Sequence, residues 1–325
     1  MDQGGAAAPE MEVESLPLET RCPPFPLRQY NGFWIPEITL RRGVPAFHSR
    51  FTPRPSDIIL ASFPKSGTTW LKALAFATLN RAAHPPTSED HPLCRTNPHD
   101  IVRFVEIDFA FSQSADLEAL PSPRLLATHL PYSLLPERVR ETCRVACVSR
   151  EPKDALVSWW KFIKKAAPAF GGDAAAFTFQ EAFDLSCDGR CPYGPQWRYA
   201  VEYWEASVRR PDKVLFLRYE EMLREPRGEL KRLAEFMGCE FSVEEEERGV
   251  ADAVVELCSL DRLKNMEVNR NGRGKGKLPV NNANFFRKGV AGDWSNHMSP
   301  EMAQRLDKIV EDALQGSGFS FISSA

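Results

Sequence analysis

The sequence lacks the features of an exported or membrane-bound protein. Among its first twenty residues are Glu10, Glu12, Glu14 and Glu19, and there is no apolar run. A secretory signal instead begins with basic residues and continues with at least about 7 apolar ones. No stretch approaches the roughly 18 consecutive apolar residues of a membrane-spanning helix. We therefore expect a cytoplasmic protein that has no membrane partner.

Excess charge and metal-binding cysteine pairs are also missing. The formal net charge is only -3 in 325 residues, so nothing attracts nucleic acid in bulk and we expect no nucleic-acid partner. Any phosphate site has to be a local cluster of cations. The 8 cysteines do not show the two-residue spacing of common zinc sites, and no histidine pair completes one. We therefore expect free thiols and no metal.

Three ranges describe the predicted organisation of the chain. Residues 1–22 are small, acidic and without a pattern, which predicts a disordered tail. Residues 23–55 are rich in proline, yet aromatic residues recur among them, so this stretch is expected to wrap over the core rather than to act as a free linker. Residues 23–325 are predicted to form a single domain.

Short apolar runs that alternate with helical patterns predict the fold class. Such runs suit strands that are buried on both faces, and their alternation with helices predicts an α/β fold with a central parallel sheet flanked by helices on both faces. The predicted strands are 58–61, 124–127, 144–148 and 214–217, and the predicted helices are 68–79, 152–165, 195–208, 226–237 and 299–315.

The most informative motif is Pro-Lys-Ser-Gly-Thr-Thr-Trp at residues 64–70, between a predicted strand and a predicted helix. A glycine-containing turn at a helix start directs backbone N–H groups at one point, where Ser66, Thr68 and Thr69 add hydroxyls and Lys65 adds a charge. Because the lysine precedes the glycine, this is not a Walker A loop. A P-loop-like nucleotide site and a capped helix with a surface lysine both fit these residues.

Two further polar residues follow strand ends. His129 comes after the strand 124–127, and Arg150 comes after the strand 144–148. In open parallel sheets, ligands bind outside the carboxyl ends of the strands. Lys65, His129 and Arg150 are therefore expected on one edge of the sheet. A phosphate loop, a titratable base and an arginine at one edge predict a site for transfer of an anionic group.

Two basic stretches lie nearer the carboxyl terminus. Residues 285–294, Phe-Phe-Arg-Lys-Gly-Val-Ala-Gly-Asp-Trp, offer two cations and an open backbone N–H to a second phosphate, or form an ordinary basic turn. Residues 269–277 are rich in glycine, lysine and arginine and are expected to be mobile. They are either a flap near the site or a solvated loop.

Together these motifs resemble those of the cytosolic sulfotransferases. The plant branch is the most similar, through Asn-Gly-Phe-Trp at 31–34 and Leu-Cys-Ser at 257–259, and the resemblance spans about residues 30–320. It implies transfer of a sulfuryl group from 3'-phosphoadenosine 5'-phosphosulfate (PAPS) to a hydroxyl of a small, largely apolar molecule. A flavonoid, a steroid or a hydroxyjasmonate would qualify.

The resemblance also implies roles for particular residues. His129 is the implied general base, and Lys65 is implied to stabilise the leaving phosphate. The implied nucleotide-binding residues are Lys65, Ser66, Gly67, Thr68, Thr69 and Trp70 in the first loop, Arg150, Ser158, Arg287, Lys288 and Gly289 around the 3'-phosphate, and Tyr219, Cys258, Ser259 and Leu260 towards the adenine. The acceptor pocket is expected to contain Phe33, Phe104, Phe111 and Phe162.

Departures from the family pattern limit what can be carried over. Ala127 stands where many animal members have a lysine, and Leu260 replaces a usual phenylalanine beside the adenine. Residues 295–298 lack the lysine-led dimer motif of animal relatives, which predicts a monomer. Two alternatives stay open: a P-loop-type nucleotide kinase, although the Walker order is absent, and a non-catalytic nucleotide or nucleic-acid binder that uses residues 270–277.

Overall fold

A computed structural model describes residues 12–112, 117–170, 173, 176–273 and 280–321 of the chain. Its strands form an antiparallel sheet in the order β1-β2-β3 and a parallel sheet in the order β5-β4-β6-β7. The strands are β1 (Leu18–Glu19), β2 (Leu27–Tyr30), β3 (Phe33–Pro36), β4 (Ile58–Ser62), β5 (Leu125–Thr128), β6 (Arg144–Ser149) and β7 (Val214–Arg218).

Helices occupy most of the remaining described chain. They are α1 (Val44–Arg50), α2 (Thr68–Leu79), α3 (Pro92–Arg95), α4 (Pro98–Ile101), α5 (Val105–Phe111), α6 (Glu137–Thr142), α7 (Pro152–Ala166), α8 (Phe179–Cys187), α9 (Gln196–Arg209), α10 (Tyr219–Arg224), α11 (Pro226–Met237), α12 (Val243–Glu247), α13 (Val250–Leu257), α14 (Leu260–Asn265), α15 (Glu267–Arg270) and α16 (Pro300–Leu314).

The parallel sheet is buried on both faces, as its apolar strands predict. All residues of β4 are buried, and successive side chains point to opposite faces of the sheet. Ile59 and Ala61 join one apolar core, which also contains residues of α7, α9 and α16. Ile58 and Leu60 join a second core with residues of α2, α11 and α13. The predicted α/β class is therefore confirmed.

The predicted boundaries of the sheet and its helices agree with the structure to within one residue. Helices α2 and α11 cover the predicted residues, because α2 begins after the glycine turn and α11 has a proline in its first turn. Strand β5 begins one residue later than expected, at Leu125. Arg124 is instead drawn into an ion pair with Asp57.

The prediction of a disordered tail is wrong for residues 12–22, and residues 1–11 lie outside the described residues. Leu18 and Glu19 pair with β2, and Val13 and Cys22 are buried. Long-range strand pairing and this burial outweigh the acidic local composition. The stretch 23–55 covers the core as expected, with the rings of Phe47 and Phe51 fully or almost fully buried.

A buried ion pair joins the starts of β4 and β5. The Arg124 side chain is 0% exposed, and its guanidinium donates to both carboxylate oxygens of Asp57 at 2.9 and 2.5 Å. It also donates to the carbonyl of Thr52 at 2.6 Å. Removing one partner of such a pair leaves the other charge buried without compensation, which is far more costly than loss of an exposed pair.

Arg124→Ala is therefore expected to lower the free energy of unfolding by about 3–5 kcal/mol. Urea denaturation followed by circular dichroism measures this change. The matched control is Arg305→Ala, which removes an exposed ion pair with Asp184 and should cost less than about 1 kcal/mol. Equal losses in the two variants would contradict the assigned importance of the buried pair.

Candidate active site

The carboxyl edge of the parallel sheet opens into a cavity of about 780 Å³. Lys65, His129 and Arg150 all line it, so the convergence predicted from the strand order is confirmed. The other predicted site residues along its wall are Gly67, Thr68, Thr69, Trp70, Phe104, Phe111, Ser158, Phe162, Tyr219, Cys258, Ser259, Leu260, Arg287 and Gly289.

The turn between β4 and α2 has the backbone geometry of an anion-binding loop. Lys65 adopts φ +68° and Gly67 adopts φ +110°, the left-handed region that favours glycine. A Cβ atom on Gly67 would also lie 2.8 Å from the ring of Tyr219, so no larger residue fits there. Because α2 begins at Thr68, the N–H groups of its first turn have no acceptor within the helix. They are available to an anion in the cavity.

The amine of Lys65 lies in an aromatic and cationic environment. Its Nζ atom is 4.1 Å from the ring centroid of Phe162 and 5.8 Å from that of Phe285. Burial, together with the charges of Arg150 and Arg287, lowers the pKa of Lys65 to about 7. An anion bound in the loop would favour the charged form and raise this pKa again.

The ring of His129 is held in one tautomer by the end of β4. Its Nδ1 atom is 2.7 Å from the carbonyl oxygen of Ser62, which can only accept, so Nδ1 carries the hydrogen. Burial lowers the pKa of His129 to about 3, and the imidazole is neutral at physiological pH. The Nε2 atom therefore has a free lone pair. The hydroxyl of Ser62 also hydrogen-bonds that of Thr68 at 2.6 Å, which joins the histidine to the loop.

Arg150 completes a basic and aromatic wall. Its side chain is almost fully buried and lies over Tyr219, with 4.5 Å between the guanidinium carbon and the ring centroid. Tyr219 in turn meets Trp70 edge to face at 5.7 Å. Within the described part of the chain, the buried Nε of Arg150 and Nε1 of Trp70 have no hydrogen-bond partner. Such donors suit a polar ligand.

The motif at residues 285–294 is hydrogen-bonded to the start of α7. Asp154 is 1% exposed, and its carboxylate accepts hydrogen bonds from the backbone N–H groups of Gly292 at 2.7 Å and Trp294 at 2.9 Å. Arg287 and Lys288 both pair with Asp293. Although burial opposes its ionisation, these hydrogen bonds hold the pKa of Asp293 well below its ordinary value.

Three predicted residues do not line the cavity. Ser66 lies behind the loop, where its buried Oγ atom has no partner among the described residues. Lys288 is half-exposed and pairs with Asp293. The prediction that Phe33 lines the acceptor pocket is wrong, because β3 directs its ring into the core beneath the guanidinium of Arg198.

The basic stretch 269–277 is only partly described, since residues 274–279 lie outside the described ranges. The expected mobile loop does not include Asn269, which belongs to α15 and is fully buried. Its side chain accepts a hydrogen bond from that of Asn97 at 2.8 Å. These buried amide contacts explain why the helix continues into a stretch of loop-like composition.

Several residues of the site were missed by the sequence predictions. Glu106 accepts a hydrogen bond from the backbone N–H of His129 at 2.7 Å, and burial raises its pKa to about 7. His99 and Tyr193 line the cavity, and Lys72 is buried next to His99. A lysine inside the otherwise apolar stretch 71–77 is a signal that could have drawn attention to this cluster.

The described residues can also be searched for disulfide bonds, metal sites and membrane-spanning helices. All 8 cysteines have free thiols. No group of three or more His, Cys, Asp and Glu side chains within the described ranges could hold a metal ion. None of the helices in this part of the chain combines the length and apolar composition needed to cross a membrane.

A strand–turn–helix unit at the carboxyl edge of a parallel sheet, with a neutral histidine beside it, is typical of α/β proteins that bind phosphates. Residues 55–318 match the family model for the sulfotransferase domain. The chain is 41% identical over 313 residues to cytosolic sulfotransferase 5 of Arabidopsis thaliana, with 95% of each chain covered. It is 43% identical over 311 residues to cytosolic sulfotransferase 8, covering 94% of this chain and 91% of the relative.

The chain therefore belongs to the sulfotransferase family, and the predicted family and enzyme class are confirmed. The names of these relatives also agree with the predicted cytoplasmic location. Among solved structures, a putative steroid sulphotransferase of Arabidopsis thaliana has a TM-score of 0.73 and 35% identity, with 95% of this chain and 94% of that one covered. A mouse sulfotransferase complexed with PAP has a TM-score of 0.68 at 24% identity, which shows a shared fold.

Proposed function

We propose that this protein transfers the sulfuryl group of PAPS to a hydroxyl of a small, largely apolar metabolite. The observation that carries the proposal is the opening of the phosphate loop and the free Nε2 of His129 onto one cavity. Family membership favours sulfuryl transfer over the kinase and the non-catalytic alternatives. PAP, the desulfated product nucleotide, is named in the solved complexes of a mouse sulfotransferase and of retinol dehydratase.

The wall of the cavity fits a nucleotide with two separate phosphate positions. The loop that begins at Lys65 suits the 5'-phosphosulfate, and the guanidiniums of Arg150 and Arg287 suit the 3'-phosphate. Trp70 and Tyr219 provide aromatic surface between them for the adenine. The unpartnered donors on Arg150 and Trp70 support this fit. Ser158, Cys258, Ser259, Leu260 and Gly289 are proposed to complete the nucleotide site.

The chain's own groups then account for the chemistry. An alcohol or phenol is a poor nucleophile, so the lone pair on His129 Nε2 takes its proton as the hydroxyl oxygen bonds to sulfur. Negative charge grows on the bridging oxygen of the leaving phosphate, where the amine of Lys65 neutralises it. Positioning and charge stabilisation dominate such in-line transfers, and the proposal requires no metal.

The acceptor is proposed to occupy the apolar arm of the cavity. Phe104 packs against His129 with 4.4 Å between ring centroids, which places an aromatic surface beside the base. Phe162 lies beside Lys65, and Phe111 is partly exposed on the same wall. Flavonoids, steroids and hydroxyjasmonates remain candidates, because an apolar wall selects mainly by shape. A monomer without nucleic-acid or membrane partners stays the prediction.

The direct test uses PAPS with radioactive sulfur, purified protein and a panel of phenols, steroids and hydroxylated fatty-acid derivatives. Label is expected to move to at least one acceptor hydroxyl, and at least about a hundred times more slowly in a parallel reaction with His129→Ala protein. A parallel incubation with ATP labelled in its γ-phosphate is expected to give no product. Label transfer from ATP, or failure to bind PAP in a titration, would contradict the proposal.

Asp154→Ala is expected to weaken PAP binding about tenfold, because the loop that carries Arg287 and Gly289 loses its two hydrogen bonds to α7 and has to be ordered on binding. Isothermal titration with PAP measures the dissociation constant. Asp184→Ala, which removes a carboxylate from an exposed ion pair, serves as the control and should bind like the wild type. An unchanged dissociation constant for Asp154→Ala would show that the loop is ordered without this contact.

A further inference from the structure

A buried amine lies directly beneath the phosphate loop and takes no part in the chemistry above. Lys72 is one turn into α2, and its side chain is 0% exposed. Its Nζ atom lies 3.4 Å from the ring centroid of Phe104 and 3.3 Å from Nδ1 of His99. A lysine is rarely buried in this way unless its N–H groups have partners. Here the partners are an aromatic face and an imidazole.

The imidazole of His99 connects this amine to the loop. Its Nε2 atom is 2.9 Å from the hydroxyl oxygen of Thr69, which lines the cavity. The ring is held between Phe285, at 4.2 Å between centroids, and Phe104, at 5.7 Å and nearly parallel. Burial, followed by the nearby charge of Lys72, lowers the pKa of His99 well below its ordinary value. The neutral ring has one donor nitrogen and one acceptor nitrogen.

The chemistry of the amine sets the direction of these hydrogen bonds. Burial lowers the pKa of Lys72, but its amine has N–H groups to donate in both the charged and the neutral form. With Lys72 as the donor, Nδ1 of His99 is the acceptor and Nε2 carries the hydrogen. Nε2–H then donates to the Thr69 oxygen, which leaves the hydroxyl hydrogen of Thr69 without an acceptor in the described part of the chain. Donors in such a series polarise one another. Because Thr69 lines the cavity, this last donor is available to a ligand there.

We propose that Lys72 and His99 are positioning residues that orient the Thr69 hydroxyl as a hydrogen-bond donor to the 5'-phosphosulfate of PAPS. The inference rests on the proposed function, since it needs an anion in the loop. It gives the buried lysine a defined role, because the amine fixes the tautomer of His99, and His99 fixes the direction of the threonine O–H. Neither residue contacts the reacting atoms.

The proposal is tested by a double-mutant cycle on PAP binding, which needs no knowledge of the acceptor. Thr69→Val removes the last donor and is expected to weaken PAP binding about tenfold, as loss of a hydrogen bond to a charged group does. Lys72→Met keeps the length of the side chain and removes the N–H groups, with an expected weakening of about threefold to tenfold. In the Thr69→Val background, Lys72→Met is expected to have no further effect.

Two further variants complete the cycle. Thr69→Ser keeps the hydroxyl and should retain both near-wild-type binding and sensitivity to Lys72→Met. His99→Phe keeps the aromatic stack but removes the hydrogen bonds to Lys72 and Thr69, so it should weaken PAP binding as much as Lys72→Met does. It therefore provides a second test if the methionine variant does not fold. Thermal unfolding establishes that the compared variants are folded.

Two results would overturn the proposal: PAP binding unaffected by Lys72→Met and His99→Phe, or an equal loss from Lys72→Met with and without the Thr69 hydroxyl. The second result would mean that the lysine acts through its charge or through packing. These failures are distinct from failure of the proposed function, in which wild-type protein would bind neither PAP nor PAPS. Lys161→Met, at a partly exposed lysine over Trp160, is the matched control and should leave PAP binding unchanged.

Discussion

His129→Ala is expected to lower kcat for sulfuryl transfer by about 10²–10⁴, the usual contribution of a positioned general base. The dissociation constant of PAP should change by less than about threefold, because the hydrogen bond and ring contacts described for His129 involve Ser62, Phe104 and Tyr193 rather than the basic wall. Single-turnover kinetics with labelled PAPS and a titration with PAP measure the two quantities separately.

The control for this variant is His48→Ala. That histidine also hydrogen-bonds a backbone carbonyl, of Leu134 at 2.9 Å, yet it does not line the cavity. Its replacement should leave kcat unchanged. If His129→Ala retained wild-type kcat, the base would have to be another group, and the free lone pair of Nε2 would have no catalytic meaning. A loss of PAP binding in proportion to kcat would instead point to collapse of the loop.

Lys65→Met is expected to lower kcat by about 10²–10³, in line with removal of a donor to the charge that develops in a transition state. Unlike the histidine variant, it should also weaken PAP binding, because the amine faces the same phosphate in the product complex. The methionine side chain preserves the packing against Phe162. Lys165→Met removes a nearby exposed cation and should have only a small effect on either quantity.

The lowered pKa of Lys65 adds a test with a defined sign. Without a ligand the amine titrates at a pKa of about 7, and a bound phosphate raises that pKa, so binding takes up a proton above pH 7. The affinity for PAP should therefore fall as the pH rises above about 7. It should become constant again above the pKa that Lys65 has in the complex. Lys65→Met should lose this part of the pH dependence. An equal slope in wild type and variant would assign the proton uptake to another group.

The strand ends explain why so much of the site could be predicted. Lys65, His129 and Arg150 each follow a predicted strand of four or five mostly apolar residues, and parallel order alone brings such positions to one edge. The local pattern is strong because both faces of the sheet are buried. The same reasoning gave the bounds of α2, since a glycine turn precedes it and its residues are good helix formers.

Contacts between distant segments are what the sequence could not supply. His99 reaches the site from a four-residue helix, and the short run Asn-Pro-His resembles an ordinary turn. The sequence predicts Phe33 in an apolar acceptor pocket, whereas the pairing of β2 with β3 turns its ring into the core. The two-residue strand β1 leaves no local pattern, because its place depends on pairing with Leu27 and Arg28.

The hydrogen bonds of Ser62 to His129 and to Thr68 bear on how the proposed reaction could be adapted to other acceptor molecules. One residue at the end of a central strand accepts from the imidazole through its carbonyl and bonds the start of α2 through its hydroxyl. In the proposed mechanism, the central strand of the sheet therefore sets the spacing between the base and the transferred group. The apolar arm can vary residue by residue around it, so new acceptors can be accommodated without rebuilding the reaction geometry.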